Sequence, residues 1–221
     1  MEQEWKDKWE QIYAEELLEY TKYKQDKAYS LGENQPEFFI EWLYPFRKIT
    51  KQDTVLELGC GHGHWIFNLY DKVKEIHGTD ISKSAIDEAK RFFREEKNVI
   101  LYEETDLLNI FKKNQFDIIY SITVFQHIPK WQTLKYFEQA YQVLKEDGVF
   151  FFNVFRGCSI TSKDAVIDDL DINKHVPCVG FTFEELEQDL KNVGFKNINI
   201  RFMKVEHNDE NCGWYLAIVK K

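Results

Sequence analysis

Three glycines spaced two residues apart form the strongest chemical signal in this sequence. Gly59, Gly61 and Gly63 follow a short apolar run, and Glu57 stands just before them. Glycine lets the backbone turn tightly and approach a ligand closely, and the helix expected after the loop begins with unpaired N–H groups. Asp80 lies 21 residues after Gly59, where a carboxylate that ends the next strand can bind both hydroxyls of a ribose. The spacing therefore predicts a ligand that contains a ribose.

Short β-branched and aromatic runs alternate with helical segments on both sides of this loop. The runs predict strands at residues 54–58, 75–80, 98–102, 116–121 and 148–155, followed by a closing antiparallel hairpin of residues 195–203 and 213–220. Strands joined by helices form right-handed βαβ units and a mostly parallel sheet. Ligands of such sheets bind beyond the carboxyl ends of the strands, where the glycine loop is expected.

Several residues mark where helices begin and end. Ser82 is a predicted N-cap, and Thr182-x-x-Glu185 is a capping box that opens a helix expected to stop at Gly194. A further helix carries apolar residues from position 134 to 144 and is expected to close at Gly148. These signals place helices between the predicted strands.

The chain divides into regions of different character. Residues 1–50 predict an N-terminal helical cap with many aromatic side chains, and residues 51–221 predict one α/β domain. Within that domain, residues 156–180 lack periodicity and are rich in Gly, Ser, Thr, Asp and Pro, which predicts a lid-like insertion.

Composition excludes several classes of protein. The 221 residues are 43% hydrophobic and carry a net charge of −9, which predicts a globular protein that does not bind nucleic acid. No apolar run approaches about 18 residues, so no membrane contact is expected. Four scattered cysteines and a charged N-terminus favour reduced thiols and a cytoplasmic location. The oligomeric state is open.

The loop Glu57-Leu58-Gly59-Cys60-Gly61-His62-Gly63 resembles motif I of the class I S-adenosylmethionine-dependent methyltransferases. The G-x-G-x-x-G loop of dinucleotide dehydrogenases has a wider spacing. The resemblance implies the cofactor S-adenosyl-L-methionine, with Glu57, Gly59, Cys60, Gly61 and Gly63 in the cofactor site. It also implies an α/β fold with a seven-stranded sheet, sandwiched by helices, in the order 3-2-1-4-5-7-6 with the last strand antiparallel.

Later motifs follow in the order of that family. By resemblance, Asp80 holds the ribose and Ile81 packs against the adenine. Asp106 accepts the adenine amino hydrogen, and the Leu107 N–H meets a ring nitrogen. Ser121 lies beside the methionine portion of the cofactor. Asp80 or Asp106 alone is more often a cap or turn residue, so the order of the motifs carries this assignment.

The resemblance implies in-line transfer of the sulfonium methyl to a nitrogen or oxygen atom. The residues after the fourth predicted strand, Ser121-Ile122-Thr123-Val124, lack the N/D-P-P-Y/F tetrad of enzymes that methylate adenine or glutamine amides. The acidic chain also disfavours RNA, which leaves a small-molecule acceptor. A hydroxyl acceptor usually needs a base, for which His127 and His175 are candidates; His127 is alternatively structural.

Other functions stay open at this point. A partner subunit that keeps the fold without catalysis is one alternative, and an NAD-dependent oxidoreductase is another. The aspartates at positions 164, 168, 169 and 171 are interpreted as a solvated acidic loop, so no metal is predicted.

Overall fold

A computed structural model describes residues 6–7, 9–11, 43–156, 179–204 and 213–221. Its strands are β1 (Thr54–Leu58), β2 (Glu75–Asp80), β3 (Val99–Glu103), β4 (Phe116–Ser121), β5 (Leu144–Phe155), β6 (Lys196–Lys204) and β7 (Gly213–Lys220). Its α-helices are α1 (His64–Phe67), α2 (Lys83–Phe92), α3 (Leu107–Ile110), α4 (Lys130–Val143) and α5 (Phe183–Val193).

The strands form one seven-stranded sheet in the order β3-β2-β1-β4-β5-β7-β6. β2 pairs in parallel with β1 and with β3, and β4 pairs in parallel with β5. β7 runs antiparallel to both β5 and β6. Parallel neighbours need a crossover connection, which the helices supply, whereas β6 and β7 follow each other as a hairpin. The predicted fold and strand order are confirmed.

The chain forms two compact units, Met1–Thr105 and Asp106–Lys221. In the first unit, helix α2 buries Ala85, Ile86 and Ala89, one apolar face of the amphipathic pattern. In the second, fully buried aromatic rings pack edge to face, with ring centroids 5.3 Å apart for Phe125 and Phe137. The predicted division at residue 50 stays a prediction.

Helix boundaries agree with the capping signals except at one position. Ser82 caps α2 by accepting from the Ala85 N–H, and Thr182 and Glu185 form the predicted capping box. Helix α4, however, ends at Val143, because Leu144 is extended and pairs with Phe116 of β4. The prediction that Gly148 closes this helix is wrong; pairing with β4 outweighs the local stop signal.

Most of the predicted cap and nearly all of the predicted insertion lie outside the described residues. The same holds for His175, for the aspartates at 164–171 and for Cys158, Cys178 and Cys212. Within the described ranges, no helix is long and apolar enough to cross a membrane, and no group of three or more His, Cys, Asp or Glu side chains is arranged to hold a metal ion.

Candidate functional site

The glycine loop after β1 adopts a backbone that suits glycine at all three motif positions. Gly59, Gly61 and Gly63 have φ angles of 70°, 49° and 85°, in the left-handed region that costs other residues about 1–2 kcal/mol. The N–H groups of Gly59 and Cys60 both donate to the Thr79 carbonyl, at 2.8 and 2.9 Å. These bonds fasten the loop to the end of β2.

Gly63 has a second, steric reason to lack a side chain. A Cβ atom at this position would lie 2.5 Å from Cε2 of Phe93, which follows helix α2 and is buried. Real Cβ atoms almost never approach another heavy atom this closely. The last motif glycine therefore sets both the turn into α1 and the packing of α2 against the loop.

The Asp80 carboxylate at the end of β2 is fixed by two backbone N–H groups. Its Oδ2 accepts from Gly61 at 2.8 Å, and its Oδ1 accepts from Ser82 at 2.9 Å. Burial raises the pKa of Asp80 above its ordinary value, against the opposing effect of these hydrogen bonds. An ionised carboxylate has about four acceptor positions, so this one can still accept two hydroxyl groups.

Glu57 and Cys60 are buried polar side chains at the glycine loop. Glu57 is 1% exposed and Cys60 is 4% exposed. Burial, with the charges of Asp80 and Glu57, raises the pKa of the Cys60 thiol well above its ordinary value. A raised pKa disfavours the nucleophilic thiolate form of Cys60. Ile81, directly after Asp80, is partly buried.

An N-terminal glutamate reaches the start of helix α2, next to Asp80. Glu10 accepts from the Ser82 hydroxyl at 2.7 Å and from the Ser84 N–H at 3.1 Å. Lys6 pairs with Glu103 at 2.8 Å. These contacts bridge more than 70 positions of sequence, so no local pattern signals them.

In the second unit, Asp106 and Leu107 are already engaged by one side chain. Gln139 of α4 donates from Nε2 to Asp106 at 2.9 Å and accepts the Leu107 N–H on Oε1 at 3.2 Å. Asp106 also caps α3 by accepting from Leu108, and Lys135 lies 3.2 Å from its second oxygen. Gln139 was missed by sequence reasoning because it stands 33 residues from Asp106.

The loop after β4 holds the remaining candidates. Ser121 is fully buried at the end of β4. His127 ends a short 3-10 turn, and the Gln126 amide nitrogen lies 2.9 Å from its Nε2. An amide donor needs an unprotonated acceptor, so a neutral His127 has its Nε2 lone pair engaged here.

Comparison with known proteins identifies the domain. Residues 55–148 match the family model described as a methyltransferase domain. A ubiquinone biosynthesis O-methyltransferase of Coxiella burnetii is 30% identical over 147 residues, 64% of this chain and 62% of the relative. Protein-lysine N-methyltransferase efm4 of Schizosaccharomyces pombe is 25% identical over 119 residues, 47% of this chain and 50% of the relative.

A solved structure shares the fold. Phosphoethanolamine N-methyltransferase 2 of Haemonchus contortus, in complex with phosphomonomethylethanolamine and S-adenosylhomocysteine, has a TM-score of 0.69 at 19% identity, covering 86% of this chain and 53% of that protein. This chain thus spans about half to three fifths of the length of these relatives. Residues 55–148 therefore match a methyltransferase domain, and the sheet order and the glycine loop agree with the class I S-adenosylmethionine-dependent methyltransferase fold that the motifs resemble.

Proposed function

We propose that this chain is an enzyme that transfers a methyl group from S-adenosyl-L-methionine to a nitrogen or oxygen atom of a small molecule. The carboxylate of Asp80 carries the proposal. It is buried and held by the Gly61 and Ser82 N–H groups, and it keeps acceptor capacity for a pair of vicinal hydroxyls. A ribose presents such a pair.

The remaining site residues have individual roles in this proposal. Gly59, Cys60, Gly61 and Gly63 shape the backbone against which the ligand packs, and Ile81 contacts the adenine. Glu57, as a buried acid beside the loop, favours a cationic ligand. Asp106 and the Leu107 N–H form an acceptor and donor pair that suits the edge of adenine. Ser121 lies beside the methionine portion.

When bound, S-adenosyl-L-methionine supplies a methyl group already activated on a sulfonium. The protein's residues then have to orient the acceptor in line with that methyl and exclude water, which contributes several kcal/mol in well-aligned reactions. For a hydroxyl acceptor, we assign His127 as the base that takes the proton; the bond from Gln126 then has to be released. A neutral amine needs no base.

The small-molecule acceptor is supported by the relatives and by charge. The ubiquinone biosynthesis O-methyltransferase and the phosphoethanolamine N-methyltransferase are both named for small-molecule substrates. A net charge of −9 disfavours nucleic acid. We further propose that the N-terminal region of residues 1–50 and the 156–180 insertion cover the acceptor, and that the protein acts in the cytoplasm without a membrane partner.

Calorimetric titration with S-adenosylhomocysteine tests the cofactor half of this proposal. We expect micromolar binding that weakens at least tenfold in Asp80→Asn, a loss of about 1.4 kcal/mol. Asp87→Asn is the matched control, because Asp87 is an exposed carboxylate of α2 that pairs with Lys83. Equal binding by both variants would contradict the role of Asp80.

The acceptor half is tested by product analysis with phosphoethanolamine and 3,4-dihydroxybenzoate. Methylation of the amine with little dependence on His127 would identify an N-methyltransferase. Methylation of the catechol that falls at least a hundredfold in His127→Ala would identify an O-methyltransferase, since general base catalysis typically contributes 10²–10⁴-fold. Tight S-adenosylhomocysteine binding without turnover of any small acceptor would instead favour a non-catalytic subunit.

A further inference from the structure

Thr123, in the loop after β4, has a backbone conformation that its residue type disfavours. Four non-glycine residues among the described positions have positive φ angles: Asn114, Thr123, Asp147 and Asn197. Asn and Asp tolerate the left-handed region, whereas a β-branched residue is a true outlier there. At φ 59°, Thr123 therefore needs an external contact to hold it.

That contact comes from Asn153 in the neighbouring strand. The Thr123 N–H donates to Oδ1 of Asn153 at 2.7 Å. Asn153 is 5% exposed and lies in an otherwise apolar stretch of β5, between the buried Phe152 and Val154. A buried carboxamide there costs free energy unless it is hydrogen-bonded. Asn153 thus has a defined partner, and that partner is the strained residue.

The strained residue lies at the edge of the sheet where ligands of this fold class bind. Thr123 stands two residues after the end of β4, and ligands of open α/β sheets bind beyond the carboxyl ends of strands. The Thr123 hydroxyl, which is on the exposed side, also donates to the Ile122 carbonyl at 2.7 Å. Backbone strain of about 1–3 kcal/mol persists at such places when the surroundings enforce it and the geometry serves a ligand.

We propose that Asn153 is a positioning residue. It holds Thr123 in the left-handed conformation and thereby presets the backbone of Ser121–Val124 against the methionine portion of the cofactor. This inference rests on the proposed function. A positioning role differs from a general stabilising role in its effect on binding. Loss of Asn153 should weaken only the binding of ligands that carry the methionine portion, which meets this loop.

The test compares two ligands that share the nucleoside. S-adenosylhomocysteine carries the amino-acid tail, and 5′-methylthioadenosine does not. We expect Asn153→Ala to weaken S-adenosylhomocysteine binding at least tenfold and 5′-methylthioadenosine binding less than twofold. Adding Thr123→Gly should restore affinity to within threefold of the single glycine variant, because glycine adopts this φ without being held. Asp147→Gly, at an exposed position near the start of β5 with φ 61°, is the matched control and should change neither affinity.

Each other outcome overturns the inference. Equal losses for both ligands, no loss, or no rescue by Thr123→Gly would show that Asn153 acts on stability alone. Should Asn153→Ala not fold, Asn153→Leu fills the same space without an acceptor and must show the same selective loss. If the wild-type protein binds neither ligand, the proposed function is wrong, and this inference is wrong with it. If the wild-type protein binds S-adenosylhomocysteine and the Asn153 variants bind it equally well, this inference is wrong and the proposed function stands.

Discussion

The glycine loop and the loop after β4 reach a fixed backbone geometry by different means. In the glycine loop, the residues with positive φ are glycines, and the anchoring bonds come from Thr79 and Asp80, about 20 residues along the chain. After β4, the residue with positive φ is a threonine, and its anchor is a buried side chain 30 residues away.

The same contrast separates Asp80 from Asp106. Asp80 is held by backbone N–H groups of the glycine loop and of the turn that follows β2. Asp106 is held mainly by side chains of α4, Gln139 and Lys135. A backbone anchor does not depend on the identity of a distant side chain, but it does depend on local φ angles. The first region should therefore fail when a Cβ atom is added, and the second when a distant side chain is removed.

The largest effect is expected at Gly63. Gly63→Ala combines the cost of a left-handed alanine, about 1–2 kcal/mol, with an overpacked contact to Phe93 that costs about 1–3 kcal/mol. Urea unfolding should therefore show a loss of about 2–5 kcal/mol, and S-adenosylhomocysteine binding should weaken with it.

Gly194→Ala is the control, because it adds a Cβ atom at a positive φ angle outside the glycine loop. Gly194 also has a positive φ, 110°, but it ends α5, and its added Cβ would lie 3.2 Å from the Tyr141 ring. We expect a smaller loss of stability and unchanged binding of S-adenosylhomocysteine. If Gly63→Ala were no more destabilising than Gly194→Ala, the packing against Phe93 would not constrain the loop.

The contrast also explains how much the sequence could predict. Strand runs, the Ser82 cap, the Thr182 capping box and the glycine loop all depend on residues close together in the chain, and the structure has each of them where it was expected. The start of β5 at Leu144 depends on pairing with β4, which no local pattern encodes.

The site residues that sequence reasoning missed are all distant anchors. Glu10, Gln139 and Asn153 act across 72, 33 and 30 positions. Each is a common polar residue within a segment whose pattern already has another explanation, namely a helix or a strand. Only the fold brings these residues to their partners. The sequence motifs therefore predicted Asp106, Leu107 and Ser121 as site residues, but they did not predict the side chains that hold this region.

The next largest effect is expected at Gln139. Its carboxamide donates to Asp106 and accepts from Leu107, the same donor and acceptor pattern that the edge of adenine presents. If adenine binds these groups as proposed, it must displace Gln139. Gln139→Leu should then strengthen S-adenosylhomocysteine binding threefold to tenfold in a calorimetric titration. Gln188→Leu, at an exposed glutamine of α5, should leave affinity unchanged.

A weaker affinity in Gln139→Leu would reverse this interpretation. Gln139 would then be the group that holds Asp106 ready for the ligand, in the way that Asn153 holds Thr123. The sign of the change therefore decides whether α4 competes with the cofactor or supports it.

The smallest effect is expected at Glu10, which adds a side-chain anchor to the backbone-built region. Partial burial opposes ionisation, but hydrogen bonds from Ser82 and Ser84 lower the pKa of Glu10 below its ordinary value. A carboxylate with a lowered pKa stabilises the fold above its ordinary pKa, and this contribution is lost as the pH falls through the lowered value. Glu10→Gln should therefore cost about 0.5 kcal/mol at pH 7, a value kept small by solvent exposure.

The pH dependence separates this anchor from a packing effect. The difference in unfolding free energy between wild type and Glu10→Gln should vanish below the lowered pKa of Glu10, because both side chains are then neutral. Glu185→Gln is the control. Burial opposes the ionisation of Glu185, but hydrogen bonds at a helix N-terminus lower its pKa, as at Glu10. Glu185 lies in the second unit. Both variants should lose stability, and only Glu10→Gln should weaken S-adenosylhomocysteine binding, by about twofold, since Ser82 connects Glu10 to Asp80. Equal binding in the two variants would show that the backbone alone fixes Asp80.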